Sequence, residues 1–318
     1  MEYVVDEEDI LRNGRALRFA DSSLRSDGAI VMAAVSQHGL SLQFADPSLQ
    51  RNKAIVIAAV KQNGLSLGFA HSSLRGDLEI ILIAIGQDSR AIRFVDISLQ
   101  NDVNFVLDIL PKHSGVIFFV CEKLKADKYF AIRIVQIYKN GLELVHPKFK
   151  EDPDVMMAAI RKNSNLICFA SPKLLDCEEF ARLVLSNYSC FLRYFSERIR
   201  SNESIVRISL FGDPLSLRDA SNDLRANKGI VLFAINRDGL ALEYASEKLQ
   251  NDREIVMIAV KQSGLALEFC SEELKNDQEV VYAAVSQNAM AYGYASDNLK
   301  ENPEIYALLP LRYRLNFY

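Results

Sequence analysis

The chain has 318 residues, 49% of them hydrophobic and 25% charged, with a net charge of -4. That balance fits an ordinary globular protein and excludes a general electrostatic pull toward DNA or RNA. The longest apolar runs, Ala54 to Val60 and Ile80 to Ile85, fall far short of the roughly 20 residues of a membrane-spanning helix, so no membrane insertion is expected.

The acidic start MEYVVDEEDI lacks the basic leader and sustained apolar core of a secretory signal, and is expected to cap a stack instead. From Asp27 to Asn302 a 25-residue period then runs in one register. Every 25th residue from Leu24 to Leu299 is apolar, and so is the column that begins Ala20, Ala45, Ala70, Val95 and ends Ala245, Cys270, Ala295. A fixed period of this length specifies a stacked array with one continuous core. The expected fold is all-α, a right-handed-type α-solenoid of about twelve 25-residue two-helix repeats forming a single array over 1–318. A leucine-rich-repeat-like solenoid is the alternative, because short apolar runs suit strands as well as helices.

Within a repeat, the column Asp27, Asn52, Asp77 and onward is Asx in eleven of twelve positions, with Cys177 the exception, as an N-cap requires. About ten helical residues follow, apolar almost all round in Ile255 to Val260, so this first helix is expected to be buried on all sides. Gly14, Gly39, Gly64, Gly239 and Gly264 are then expected to supply the left-handed residue that closes it. A short second helical piece such as Leu40 to Ala45 comes next, and the pairs Asp46-Pro47, Ser171-Pro172 and Ser246-Glu247 predict a further single turn. Gln37, Gln62, Gln87, Gln262 and Gln287 form a column near the first-helix ends, where solvation is the favoured reading over capping of carbonyls.

Along the chain the repeats are regular over 1–101 and 227–309 and divergent over 102–226. In the divergent part, Asp108 and Arg133 interrupt an apolar first-helix column one repeat apart and are expected to neutralise each other. Arg182 and Arg207 interrupt the neighbouring column. Like charges in adjacent repeats repel, so the array is expected to open to water there or to hold an acidic ligand. Arg193, Arg218, Tyr194, Phe191 and Phe118 complete the candidate site, since arginine mixed with aromatics typifies binding hot spots. Phe195 replaces a small residue and Asp219 an aromatic, which predicts a bend or widened groove between Cys177 and Ala220. At the carboxy end Leu311 to Tyr318 carries Tyr313, Phe317 and Tyr318 and is expected to be sticky.

The pattern D-x-E-I-V-x-x-A-V-x-Q-x-G-L-A-L-x-[FY]-A-S-x-x-L-x-N-D, clearest from Asn227 to Asn276, resembles a repeat family known only as a domain of unknown function. The resemblance implies a binding role and no established activity. Because such repeats occur in proteins of protists and of bacteria living inside eukaryotic cells, it also implies an effector, or a regulator of effectors, acting in a host cytosol.

No catalytic, cofactor or metal site is expected. Gly64-Leu65-Ser66-Leu67-Gly68 matches a G-x-S-x-G elbow, but Ser66 shares its column with Ser41, Ser216 and Ala241, a small packing position. His38 and His113 share one column and His71 and His146 another, each pair three repeats and about 30 Å apart at helix spacings of roughly 10 Å, too far to share zinc. Cys121, Cys168, Cys177, Cys190 and Cys270 make no paired framework, consistent with a reducing, cytoplasmic compartment; Cys270 is expected to be buried and Cys168 exposed. The leading expectation is therefore a noncatalytic scaffold for a protein or peptide with acidic groups. One alternative is an enzyme with a phosphate- or carboxylate-binding pocket in the divergent repeats, and another is a single-stranded RNA binder.

Overall fold

In a computed structural model residues 5–310 are described, and the chain divides into two compact units, Met1–Leu166 and Ile167–Tyr318. Each is an all-α solenoid, and among the described residues there is no strand, so the leucine-rich-repeat alternative falls. The acidic start forms the helix Glu7–Arg12, closed by an Asp6/Asp9 capping box and burying Ile10. Leu311 to Tyr318, expected to be sticky, lies outside the described residues.

One repeat shows the logic of all. Asp252 accepts the N–H groups of Glu254 and Ile255 at 3.0 and 3.3 Å and starts the long helix Arg253–Gln262. Cys177 has no such side-chain cap bond; its thiol donates instead to the Glu179 carboxylate. The second piece, Gly264–Phe269, is a 3-10 helix. Three residues per turn place i and i+3 on one edge, and the buried Gly264, Leu267 and Cys270 follow that spacing. The single turn Glu272–Lys275 then buries Leu274 and leads to the next cap, Asp277. Neighbouring turns are tied by a backbone bond, as where Ser246 N–H donates to the Arg225 carbonyl at 2.9 Å.

The glycine column serves a different purpose from the one expected. No described residue, glycine included, has a positive φ. A Cβ added at Gly39, Gly64 or Gly264 would sit 2.3, 2.1 or 2.3 Å from the carbonyl oxygen of Ala59, Ala84 or Ala284 in the next repeat. These glycines permit close approach of two backbones. The glutamine column is likewise engaged across repeats. Gln262 Oε1 accepts the Gly239 N–H at 2.6 Å while its Nε2 donates to the Arg237 carbonyl at 3.0 Å. Gln37, Gln62 and Gln287 accept in the same way from Gly14, Gly39 and Gly264. Four of the five are thus clamps between successive repeats while all five side chains stay exposed to solvent, so the column combines the solvated and the capping readings.

The long helices are not buried all round. In Arg253–Gln262 the side chains of Ile255, Val256, Ala259 and Val260 are fully buried, but Met257 and Ile258 are half-open. Residues at i, i+1, i+4 and i+5 make one stripe facing the 3-10 helices, so i+2 and i+3 face away from it. The two columns that break at Asp108, Arg133, Arg182 and Arg207 are these outward ones, which is why charge is tolerated there. Asp108 and Arg133 are both exposed, and among the described residues no ion pair joins them.

Candidate functional site

In the unit Ile167–Tyr318, the outward positions of three successive long helices carry Arg182 on Glu178–Leu185, Arg207 on Glu203–Gly212, and Leu232 and Phe233 on Lys228–Ile235. Elsewhere the first residue of the long helix is often basic and bridges to the next repeat. Lys228 meets Asp252 and Glu254 at 3.2 and 2.7 Å, and Arg253 meets Asp277 at 2.8 Å. At 178 and 203 this residue is glutamate, and one turn later stands an arginine. Glu203 pairs with Arg207 at 2.9 Å and Glu178 with Arg182 at 4.0 Å. Arg182 also donates to Ser204 Oγ at 2.8 Å. Arg207 thus has its own i-4 carboxylate, whereas Arg182 shares Glu178 with Arg198, which holds that carboxylate at 3.0 Å; acidic partners lie beside both arginines, so their mutual repulsion does not require a ligand to offset it.

Arg193 and Arg218 form a separate set on the 3-10 side of the buried stripe. Both guanidiniums lie 3.6 Å from Asp219 Oδ2, whose side chain is only 15% exposed. Asp219 occupies the place where Tyr194, Tyr244 and Phe269 stand in other repeats, and Arg193 sits one repeat earlier, as Gly68 does under Phe94. The carboxylate-for-aromatic exchange is therefore matched by cations beside it, and these two arginines face the Asp219 charge within the repeat stack. Phe191 stacks on Tyr188 with centroids 5.2 Å apart and meets Tyr194 edge-on at 5.5 Å. Phe195 is buried against Phe180. Phe118 belongs to the unit Met1–Leu166, where it is 66% exposed. Within the unit Ile167–Tyr318 the candidates fall into two sets, Arg182 and Arg207 on the long helices and Arg193, Arg218, Phe191 and Tyr194 on the 3-10 helices.

What the structure does bring together was missed in the sequence. Arg207 lies 5.0 Å from the ring centre of Phe233, and Arg237 lies 3.9 Å from Phe233 and 5.1 Å from Phe211. Phe211 is 72% exposed. A groove of about 630 Å³ runs beside these rings, lined by Ser186, Ser189, Arg207, Phe211, Gly212 and Phe233 among others. Phe233 keeps an apolar column, but Phe211, Gly212 and Arg237 each depart from theirs. Phe211 is the large apolar residue among Ser36, Lys61, Ser186, Asn236 and Lys261, while Gly212 and Arg237 replace the clamp glutamine. The clamp is absent where the groove opens. Pro214, the counterpart of Gly239, faces Arg237, which has no acceptor to offer, and proline has no N–H to satisfy.

Ser66 is fully buried in the 3-10 helix Gly64–Phe69. Cys270 is buried, and burial pushes its thiol pKa up to about 12, whereas Cys168 and Cys190 are exposed. Among the described residues no cluster of three or more His, Cys, Asp or Glu side chains has the arrangement to hold a metal ion. No helix among them is long and apolar enough to cross a membrane.

A repeat-family model described as Domain of unknown function (DUF4116) matches seven overlapping segments: 8–50, 29–75, 52–100, 127–175, 177–225, 227–275 and 257–300. Starts at 127, 177 and 227 lie 50 residues apart, two of the 25-residue periods. The matches leave out 101–126, the segment that holds Asp108 and Phe118, but extend through the rest of the divergent repeats. No curated protein and no solved structure matches the chain.

Proposed function

As the chain belongs to the DUF4116 repeat family over most of its length, we propose that it is a noncatalytic scaffold that binds another protein or peptide along the outward faces of its long helices. The observation that carries this reading is the groove beside Phe211, where an exposed ring, a second ring and the Arg207 side chain line one cleft and Arg237 packs on both rings. Aromatic and arginine side chains in a concave setting supply the anchors of protein interfaces. The noncatalytic part is supported by how the nearby polar groups are used: Glu178 and Glu203 are engaged by arginines, and Asp213 and Asp238 cap the 3-10 helices that follow them.

The test is site-specific photo-cross-linking in extract from the source cell or its host. A benzophenone side chain at Leu232 or Met257, on the outward face, is expected to capture a discrete protein partner, while one at Glu247, on a single-turn helix, captures none. Equal capture from both positions, or none from Leu232 and Met257, would refute the scaffold reading. An effector role in a host cytosol is the finer part of the proposal and rests on the resemblance; fusion to a translocation reporter tests it, and retention in the producing cell would overturn it.

A further inference from the structure

We infer that the groove beside Phe211 receives one carboxylate side chain of a linear peptide, with a neighbouring apolar side chain laid against the Phe211 ring. This rests on the scaffold reading and names the ligand chemistry of its main site. Charge at the groove decides the class of ligand. Arg182 and Arg207 are each matched by a glutamate one turn earlier in the same helix. Arg237 donates one bond, to the Phe233 carbonyl at 3.2 Å, and forms no ion pair among the described residues. None of the lining side chains is acidic. Arg237, which packs on the lining rings of Phe211 and Phe233 without itself lining the groove, is therefore the one uncompensated guanidinium beside it, which suits a monoanionic carboxylate better than a doubly charged phosphate.

Geometry prepares the same group. The Arg237 guanidinium carbon lies 3.9 Å from the Phe233 ring centre and 5.1 Å from that of Phe211, and its Nη1 donates to the Phe233 carbonyl, so the side chain is held without a carboxylate to hold it. A guanidinium uses its edge for paired hydrogen bonds, and one held in advance loses less entropy when it binds. Phe211, mostly exposed, gives the apolar contact that a lone ion pair in water lacks. Gly212 makes the room: it occupies the glutamine column, and a Cβ there would lie 2.0 Å from Ser189 Oγ.

The experiment titrates the full chain with two soluble peptide libraries in a Gly-Ser background. One carries a single Glu followed by Leu, Met, Phe or Tyr, and the other carries Gln in place of Glu. Side-chain NMR of Arg237 and the Phe211 ring, with fluorescence anisotropy of labelled pools, gives the readout. The Glu pool is expected to shift both groups and to bind about ten- to a hundredfold more tightly than the Gln pool, the ratio for hydrogen bonds to a charged partner. Arg237→Gln and Phe211→Ala, both at exposed side chains, are expected to lose that binding with unchanged circular dichroism. The inference is overturned if the two pools bind alike, if neither shifts Arg237, or if a phosphoserine pool or a ten-uridine oligonucleotide binds more tightly than the Glu pool. Failure here with a partner still captured from Leu232 removes the carboxylate assignment alone; loss of that capture removes the scaffold reading itself.

Discussion

Replacing Gln262 with leucine tests whether successive repeats are held by the clamp. The change keeps the size of the side chain but removes the acceptor for the buried Gly239 N–H at 2.6 Å and the donor to the Arg237 carbonyl at 3.0 Å. Each net hydrogen bond contributes about 1 kcal/mol, and an amide left without an acceptor adds to that, so a loss of about 2 kcal/mol is expected. For a cooperative unit of roughly 150 residues this corresponds to a fall of about 4–8 °C in Tm. Urea unfolding gives the free energy, and hydrogen exchange of the Gly239 amide localises it. The control is Gln43→Leu, since Gln43 donates only to the nearby Leu40 carbonyl at the surface. If Gln262→Leu unfolds like Gln43→Leu, or if Gly239 exchange is unchanged, the clamp contributes nothing and the argument fails.

Further outcomes follow from the same geometry. Ser189→Gly with Gly212→Gln recreates the Gly239/Gln262 pairing and is expected to add about 1 kcal/mol of stability while blocking peptide entry to the groove; a urea titration alongside the anisotropy assay reads both, and a destabilised variant refutes the equivalence. Gly64→Ala places a Cβ 2.1 Å from the Ala84 oxygen and should cost about 3 kcal/mol, at the upper end for overpacking; a neutral result in urea unfolding contradicts the close-approach role. Arg193→Ala/Arg218→Ala strips both cations from the largely buried Asp219 and should cost about 2–3 kcal/mol, with Asp219→Tyr restoring stability, whereas Arg182→Ala/Arg207→Ala, at surface pairs, should cost under about 1 kcal/mol. The reverse order would return Arg193 and Arg218 to the list of binding candidates. The carboxyls of Asp77 and Asp277 are held below the usual range, first by Lys53 and Arg253 and then by backbone N–H groups. Their contribution to stability is fully present above the unfolded pKa of about 4 and is lost as pH falls through the lower native values. Asp277→Asn should therefore flatten the acid limb of a stability–pH curve below about pH 4 and leave its shape from pH 5 to 8 unchanged; a slope that changes near neutrality would contradict the assignment.

The parts of this fold that were legible in the sequence are those written once per repeat in a single column. The period, the Asx caps, the helix that follows each of them and the final single turn could all be read from Asp252 to Asp277. The 3-10 geometry of Gly264–Phe269 could not, because six residues do not separate a period of 3.0 from one of 3.6. The work of Gly239 and Gln262 was hidden for another reason: it is a relation between two columns 23 residues apart, and each column alone suggests a commoner role. The half-open positions of Met257 and Ile258 look buried by residue type, since apolar side chains also occupy surfaces. The candidate site failed in a related way. Arg182 and Arg207 are conspicuous as charges in apolar columns, but their partners Glu178 and Glu203 lie one turn back in a mixed column where charge is common, while Gly212 and Arg237 are exceptions in the glutamine column and Phe211 in a mostly polar one, where a change of residue draws no notice.

The glycine and its glutamine also bear on how such a chain can lengthen or shorten. Removing residues 240–264 would join Gly239 to Leu265 and leave Gln287 to meet Gly239 at the spacing that Gln262 now keeps, so the seam matches. Removing residues 190–214 would bring Ser189 opposite Arg237 in place of Gly212, neither of which accepts, so that seam would have no clamp before or after. Gain or loss of a whole repeat thus keeps a clamp at some junctions and has none to keep at others, and the repeats that carry the glycine and glutamine are where the join is held.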